Sequence, residues 1–366
     1  MRNGKNEGVR IAYTLEQCWR RVPGGTGTSA LEVLTELLAI DECDVVGIAG
    51  RHRHRPTPGF APPVPVATFP IGGALLVETW TRLRWPLVES LVDGVDVVHS
   101  TTIIPPATYK PLVTTIHDVA FLHHPDFFTA RGNKVFRRSL NVNREKATLV
   151  LCSSTATMND CLNLGFSSER LRHVPLGVRT HAVSATDRQR VQQKYGLPDE
   201  FVLFVGTVEP RKNLARLVAA LESLPHAPAL VIAGIEGWGE AQFATSHEVH
   251  PIGYVAAEDL PALYSLCTVF AFPSILEGYG LPVIEAMAHG APVVTSRGTS
   301  TEEVAGGAAV LVDPLDVASI ASGIRTALNG RDDLVAQGYA RAQQLPWSAT
   351  AALTVEAYRD AMEMRS

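Results

Sequence analysis

The chain has 366 residues, of which 46% are hydrophobic and 19% charged, and its net charge is −5. At about 150 residues per domain the length favours two domains, and the apolar share excludes a largely disordered chain. The slightly acidic balance gives no electrostatic case for nucleic acid, whose binders usually carry a basic domain.

Residues 9–14 read as a first strand. The glycine-rich string Pro23-Gly24-Gly25-Thr26-Gly27-Thr28 and a helix over residues 30–40 follow it. A second strand covers 45–49. Residues 51–70, rich in proline and basic side chains, read as a long loop. A helix is predicted over 79–92, and strands over 95–99, 112–116 and 148–152. After a polar stretch at 179–194 the pattern restarts, with strands at 201–205, 229–233, 269–272, 292–296 and 309–312. Helices at 213–224, 257–266 and 281–289 separate them. Strands alternating with helices imply βαβ units and parallel sheets. The expected fold class is therefore α/β, with two similar layers joined near residue 180. Ligands of such sheets sit beyond the carboxyl ends of the strands, so two sheets facing each other would share one cleft.

The strongest motif runs from Phe272 through Pro273-Ser274-Ile275-Leu276-Glu277-Gly278-Tyr279-Gly280-Leu281-Pro282 to Glu285. A buried strand ends at a glycine-rich loop, and Pro282 suits the start of the next helix. Gly278 and Gly280 allow a ligand close to the backbone, and the free amides at the helix start favour an anion such as a diphosphate. Glu277 lies before the helix and Glu285 inside it, so both carboxylates can serve one ligand over the loop. A carboxylate accepting from vicinal hydroxyls is a good sugar or ribose ligand. A lone glutamate at a helix start is usually only a partner of the helix dipole, but two glutamates eight residues apart around two glycines and a proline reverse those odds.

The second motif is Val205-Gly206-Thr207-Val208-Glu209-Pro210-Arg211-Lys212-Asn213. Arg211 and Lys212 there supply positive charge for a diphosphate leaving group, the arginine as a fork and the lysine as a point charge. A solvated basic pair is the bland alternative, and Glu209 is free to pair with Lys212 or to cap the turn.

Together these stretches resemble glycosyltransferase family 4, whose GT-B fold is two Rossmann-like domains facing each other across a cleft. Glu277 and Glu285 match its E-x7-E motif, and residues 206–213 match its GTxEPRKN version of the phosphate loop. Thr115-Ile116-His117-Asp118 with His124-Pro125 looks like its THD…HP segment. Residues 174–178 resemble its interdomain linker, and Gly253-Tyr254-Val255 with Leu260, Leu263 and Tyr264 resembles the stretch near the nucleotide base. Residues 347–358 resemble the last helix, which crosses back to the first domain. The resemblance implies an acceptor-side domain at 1–178 plus helix 347–366, and a nucleotide-sugar domain at 179–346.

It further implies that Glu285 holds the ribose hydroxyls and Glu277 the donor sugar, while Arg211 and Lys212 neutralise the diphosphate. His117 lies near the transferred sugar. Gly206, Thr207, Tyr254, Val255, Gly278, Tyr279, Gly280 and Leu281 line the donor, and Gly25, Thr26 and Gly27 form a loop beside the phosphate or the acceptor. Many members carry arginine where this chain has Thr207, which puts more of the phosphate charge on Arg211 and Lys212. The family retains anomeric configuration and uses neither a cofactor nor a metal. The donor is expected to be a nucleoside-diphosphate sugar, with GDP-mannose the best match. The acceptor is expected to be a glycan or lipid-linked hydroxyl. A sugar-nucleotide epimerase or phosphorylase of the same fold, or a non-catalytic nucleotide-sugar-binding protein, is the alternative.

Other features point less far. Cys18, Cys43, Cys152, Cys161 and Cys267 have no CxxC spacing, which fits a reducing compartment rather than a disulfide framework. No apolar run approaches the ~20 residues of a membrane helix, and the polar start is unlike a signal peptide. The expected location is the cytoplasm, with peripheral contact at the inner face of a membrane left open. The run Arg51-His52-Arg53-His54-Arg55 and the basic helix carrying Lys134, Arg137, Arg138, Arg144 and Lys146 are the candidate membrane or anionic-acceptor surfaces. The group His117, Asp118, His123, His124 and Asp126 fits no standard metal-ligand spacing.

Overall fold

The structure, a computed structural model, describes residues 8–234 and 245–365. The chain divides into two compact units, Met1–Gly177 with Trp347–Ser366, and Val178–Pro346. Val178 belongs with the second unit, one residue earlier than the junction read from the sequence. Its N–H donates to the Leu345 carbonyl at 2.8 Å and it bridges to Pro346.

Unit 1 contains β1 Val9–Thr14, β2 Cys43–Ala49, β3 Val66–Thr68, β4 Val97–Ser100, β5 Leu112–Ile116, β6 Leu149–Cys152 and β7 Leu171–His173. They form one parallel sheet in the order β3-β2-β1-β4-β5-β6-β7. β4 and β6 are buried along their whole length, as expected for a parallel sheet covered on both faces. The strand order reverses between β1 and β4, so the loops after those two strands border the switch point. They are tied together there. The Thr101 Oγ1 donates to the Thr14 carbonyl at 2.7 Å, and the Gln17 amide donates to Thr101 Oγ1 at 2.7 Å.

The C-terminal helix Trp347–Glu363 closes this unit. Buried His99 of β4 bonds Tyr358 Oη at 2.6 Å and Thr115 Oγ1 at 2.8 Å. Thr350 Oγ1 donates to the Pro175 carbonyl at 2.8 Å, and Arg172 pairs with Asp360 at 2.8 Å.

Three local readings of unit 1 change. The string Gly25-Thr26-Gly27 is not a loop but the first turn of helix Gly24–Leu37. A Cβ on Gly27 would lie 2.5 Å from Pro23 Cβ and 3.1 Å from the Phe60 ring, so this glycine permits close packing at the helix start. The helix expected over 79–92 is Gly73–Arg82, followed by a separate 3-10 turn at Val88–Ser90. Arg84 takes a left-handed φ of 51°, and its guanidinium donates to the carbonyls of Trp80, Pro105 and Pro106. The loop expected over 51–70 contains the edge strand β3.

Unit 2 contains β8 Phe201–Val205, β9 Ala229–Ala233, β10 Val249–Gly253, β11 Val269–Phe272, β12 Val293–Ser296 and β13 Val310–Val312. Its parallel sheet has the order β10-β9-β8-β11-β12-β13. The switch point falls between β8 and β11, the two strands whose following loops carry the strongest motifs. Among the described residues no helix is long and apolar enough to cross a membrane.

Candidate active site

The loops after β8 and β11 are stitched into one platform. Gly206 follows β8, adopts φ 151° and donates its N–H to the Ala233 carbonyl at 2.9 Å. A short 3-10 turn Pro210–Lys212 follows, closed by Asn213 in the left-handed region at φ 64°, a conformation asparagine tolerates better than most residues. The buried Asn213 amide donates to the carbonyls of Pro273 at 2.9 Å and Pro314 at 2.6 Å. The Ile275 N–H donates to the Arg211 carbonyl at 2.8 Å. These bonds fix the basic turn against the loop after β11 before any ligand arrives.

Four charged side chains meet there. Arg211 Nη1 lies 2.7 Å and Lys212 Nζ 2.6 Å from the two oxygens of Glu277, and Arg211 Nη2 lies 2.6 Å from Glu209 Oε1. Lys212 also sits over the Phe272 ring, 4.5 Å from its centre. The Glu277 and Lys212 side chains are each 8% exposed. Burial alone would raise the Glu277 pKa, but the neighbouring Arg211 and Lys212 charges overcome it and hold the carboxyl at about 2. Burial pulls the Lys212 pKa down, with Glu277 opposing, and pushes the Glu209 carboxyl up, with Arg211 opposing. Two cations and two carboxylates cancel. The basic pair read from sequence is therefore part of a compensated, pre-oriented cluster, in which Glu209 pairs with Arg211.

The glycine loop does what its composition requires. Gly280 has φ 106°, and a Cβ there would meet Thr301 Cγ2 at 2.7 Å. It caps helix Leu281–Ala288, with Pro282 in the first turn. Ser300 Oγ donates to the Glu277 carbonyl at 2.7 Å, fixing the backbone under the carboxylate. Tyr279 and Leu281 are buried, and Gly278 lies in the same loop. Glu285 projects from the helix, and its Oε2 accepts from the Tyr264 hydroxyl at 2.9 Å. After β10, Tyr254 is 64% exposed while Val255 is buried. Thr207 follows Gly206 and is half-buried.

The other sequence candidates lie in unit 1. His117 follows β5, and its Nε2 is 3.3 Å from the Thr101 carbonyl. A carbonyl can only accept, so Nε2 carries the proton and Nδ1 is the acceptor. Burial lowers its pKa, with Asp118 opposing, which keeps the ring neutral. The residues around it do not converge. Asp118 accepts from the Ala120 N–H, His123 pairs with Asp160 and His124 stacks on Phe127. Among the described residues no group of three His, Cys, Asp or Glu side chains is arranged to hold a metal.

Glu209 and Ser300 are the partners the sequence reading left open or missed. Glu209 stands inside the matched GTxEPRKN string. Ser300 belongs to Gly298-Thr299-Ser300-Thr301-Glu302, whose hydroxyl-rich start is a helix-cap signal. Nothing local links it to Glu277.

Comparison with known proteins accounts for both units. The family described as Glycosyltransferase Family 4 matches residues 23–182, and that described as Glycosyl transferases group 1 matches residues 186–344. O-antigen chain mannosyltransferase B of Escherichia coli is 32% identical over 306 residues, covering 78% of this chain and 80% of that protein. The serotype-specific mannosyltransferase WbdA of Escherichia coli is 29% identical over 268 residues, covering 68% of this chain but 32% of that protein. The crystal structure of Anabaena HepE in complex with UDP and glucose matches 96% of this chain and 100% of its own at a TM-score of 0.74 and 20% identity. That likeness establishes the fold as the GT-B pair of Rossmann-like domains. The chain is a glycosyltransferase and belongs to family 4 of these enzymes.

Proposed function

We propose that the enzyme transfers mannose from GDP-mannose to a hydroxyl of a glycan or lipid-linked acceptor, with retention of anomeric configuration and without a metal. The carrying observation is the cluster Arg211–Lys212–Glu277 at the switch point of unit 2, in the loop that leads into the helix carrying Glu285. Mannose is favoured because the relatives from Escherichia coli named above are mannosyltransferases.

In this reading Glu285 accepts from the ribose hydroxyls and Glu277 from a hydroxyl of the sugar, while Gly278 and Gly280 let the diphosphate approach the amides of the helix start. His117, in unit 1, offers Nδ1 of a neutral ring as a hydrogen-bond acceptor. The bond from the anomeric carbon to the diphosphate oxygen breaks, and the acceptor oxygen bonds that carbon on the same face. The acceptor proton passes to the departing diphosphate oxygen. Charge that builds on the leaving group is met by Arg211 and Lys212, whose positions Glu209 and Glu277 have already fixed, so little reorganisation is needed.

Unit 1 is the acceptor side. A cavity of about 260 Å³ opens at its switch point, with a floor including Leu76, Trp80 and Ile104 and a rim including Glu16, Arg20 and His52. An apolar floor with a few polar groups suits a sugar ring. Exposed Arg131, Lys134, Arg137, Arg144 and Lys146 on helix Ala130–Lys146 support peripheral contact with an anionic membrane surface.

Purified enzyme assayed for nucleoside-diphosphate release across GDP-mannose, GDP-fucose, UDP-glucose, UDP-galactose and dTDP-rhamnose tests the reading. GDP-mannose should turn over fastest. Turnover confined to a uridine or thymidine donor would overturn the assignment, and nucleotide binding without turnover of any donor would restore the non-catalytic alternative.

A further inference from the structure

Glu285 is held from two sides. Tyr264, on helix Leu260–Leu266, is 1% exposed, and its hydroxyl donates to Glu285 Oε2 at 2.9 Å. The ring is fixed by an edge contact with Phe270, centroids 5.5 Å apart at 77°, and by stacking on His289 at 6.2 Å and 12°. His289 Nε2 accepts the His181 N–H at 3.3 Å, so the proton sits on Nδ1, which donates to the Glu285 carbonyl at 2.8 Å. Burial lowers the His289 pKa, which preserves that neutral tautomer. Burial and the adjacent Glu285 push the Tyr264 pKa well above its ordinary value, so the phenol stays a donor. The imidazole thus pins the backbone at Glu285 while the phenol sets the carboxylate plane.

A carboxylate that reads a vicinal diol must present its oxygens at one angle, because a rotation that keeps one hydrogen bond loses the other. A site built to bond a hydroxyl rejects an analogue lacking it, since its polar groups are then left unpaired. We propose that Tyr264 is a positioning residue that orients Glu285 to select a ribonucleoside-diphosphate donor over its 2′-deoxy counterpart. This rests on the reading of Glu285 as the ribose ligand.

Tyr264→Phe keeps the ring and removes only the hydroxyl. Calorimetry would compare GDP with 2′-deoxy-GDP, and UDP with 2′-deoxy-UDP, on wild type, Tyr264→Phe and Glu285→Gln. Wild type should prefer the ribonucleotide by about tenfold or more, the scale of a hydrogen bond to a charged group. Tyr264→Phe should cut that preference by about fivefold while its affinity for the deoxynucleotide stays within about twofold of wild type. Equal weakening of both nucleotides would make Tyr264 a plain tie between helices and overturn the proposal, as would an unchanged ratio. Glu285→Gln separates the two levels. If it collapses the preference and Tyr264→Phe does not, the inference alone fails. If Glu285→Gln leaves the preference intact, the ribose reading fails and takes the inference with it.

Discussion

Glu277→Gln removes one charge from a buried four-charge cluster and nearly preserves its shape. The native carboxyl is held at about 2 against an ordinary value of 4.5, a gap that corresponds to roughly 3 kcal/mol of preference for the ionised form. The variant leaves Arg211 and Lys212 facing a neutral amide with only Glu209 to balance them. The ligand-free protein should therefore lose on the order of 3 kcal/mol, within the range for breaking a buried pair. Because the folded pKa is depressed, this stabilisation is present above about pH 4.5 and is lost as pH falls towards 2. Calorimetric melting should show wild type well above the variant at pH 7, with the difference shrinking through that acid window.

Nucleotide affinity should move the other way. With Glu277 neutral, the two cations present net positive charge, so free GDP should bind as tightly as to wild type or more tightly. Turnover should still drop by roughly 10²-fold, as for removal of one transition-state contact, because the sugar has lost its carboxylate partner. Weaker GDP binding with unchanged kcat would refute the division of labour between Glu277 and Glu285. A pH-independent difference in melting would refute the charge argument.

Lys212→Ala should lower turnover by about 10²-fold at saturating donor, and near-wild-type turnover would make the basic pair a structural one. Transfer should survive EDTA; a complete loss restored by a divalent ion would return attention to the region of His117 and Asp126. Gly280→Ala should destabilise the protein by about 1–3 kcal/mol, since φ is 106° and the new Cβ meets Thr301 at 2.7 Å. A melting temperature equal to wild type would show that the loop relaxes freely.

Much of the fold is legible because the central strands are apolar runs, such as Phe201–Val205 and Val269–Phe272, buried on both faces. The edge strands β3, β7 and β10 are not, although β13 at the other edge of the unit 2 sheet is. Val249–Gly253 contains His250, Pro251 and a glycine, and it is a strand because β9 offers it partners rather than because of its own composition. Residues 83–92 keep an apolar spacing that imitates a helix, but Pro86 has no backbone N–H to donate and Arg84 turns left-handed. The motif residues Glu277, Glu285, Arg211 and Lys212 are visible from spacing, whereas their pairing is not. Lys212 and Glu277 lie 65 residues apart in the chain, and only the adjacency of β8 and β11 brings them to 2.6 Å. The charge compensation that governs the site is thus a property of the sheet order.

The most direct test is the calorimetric affinity of GDP against GMP. If Arg211 and Lys212 hold the terminal phosphate of the leaving group, wild type should bind GDP at least about tenfold more tightly than GMP. Lys212→Ala should erase most of that preference while leaving GMP binding nearly unchanged. Equal binding of GDP and GMP by wild type would contradict the account, because the cluster at the switch point of unit 2 would then not be a diphosphate site.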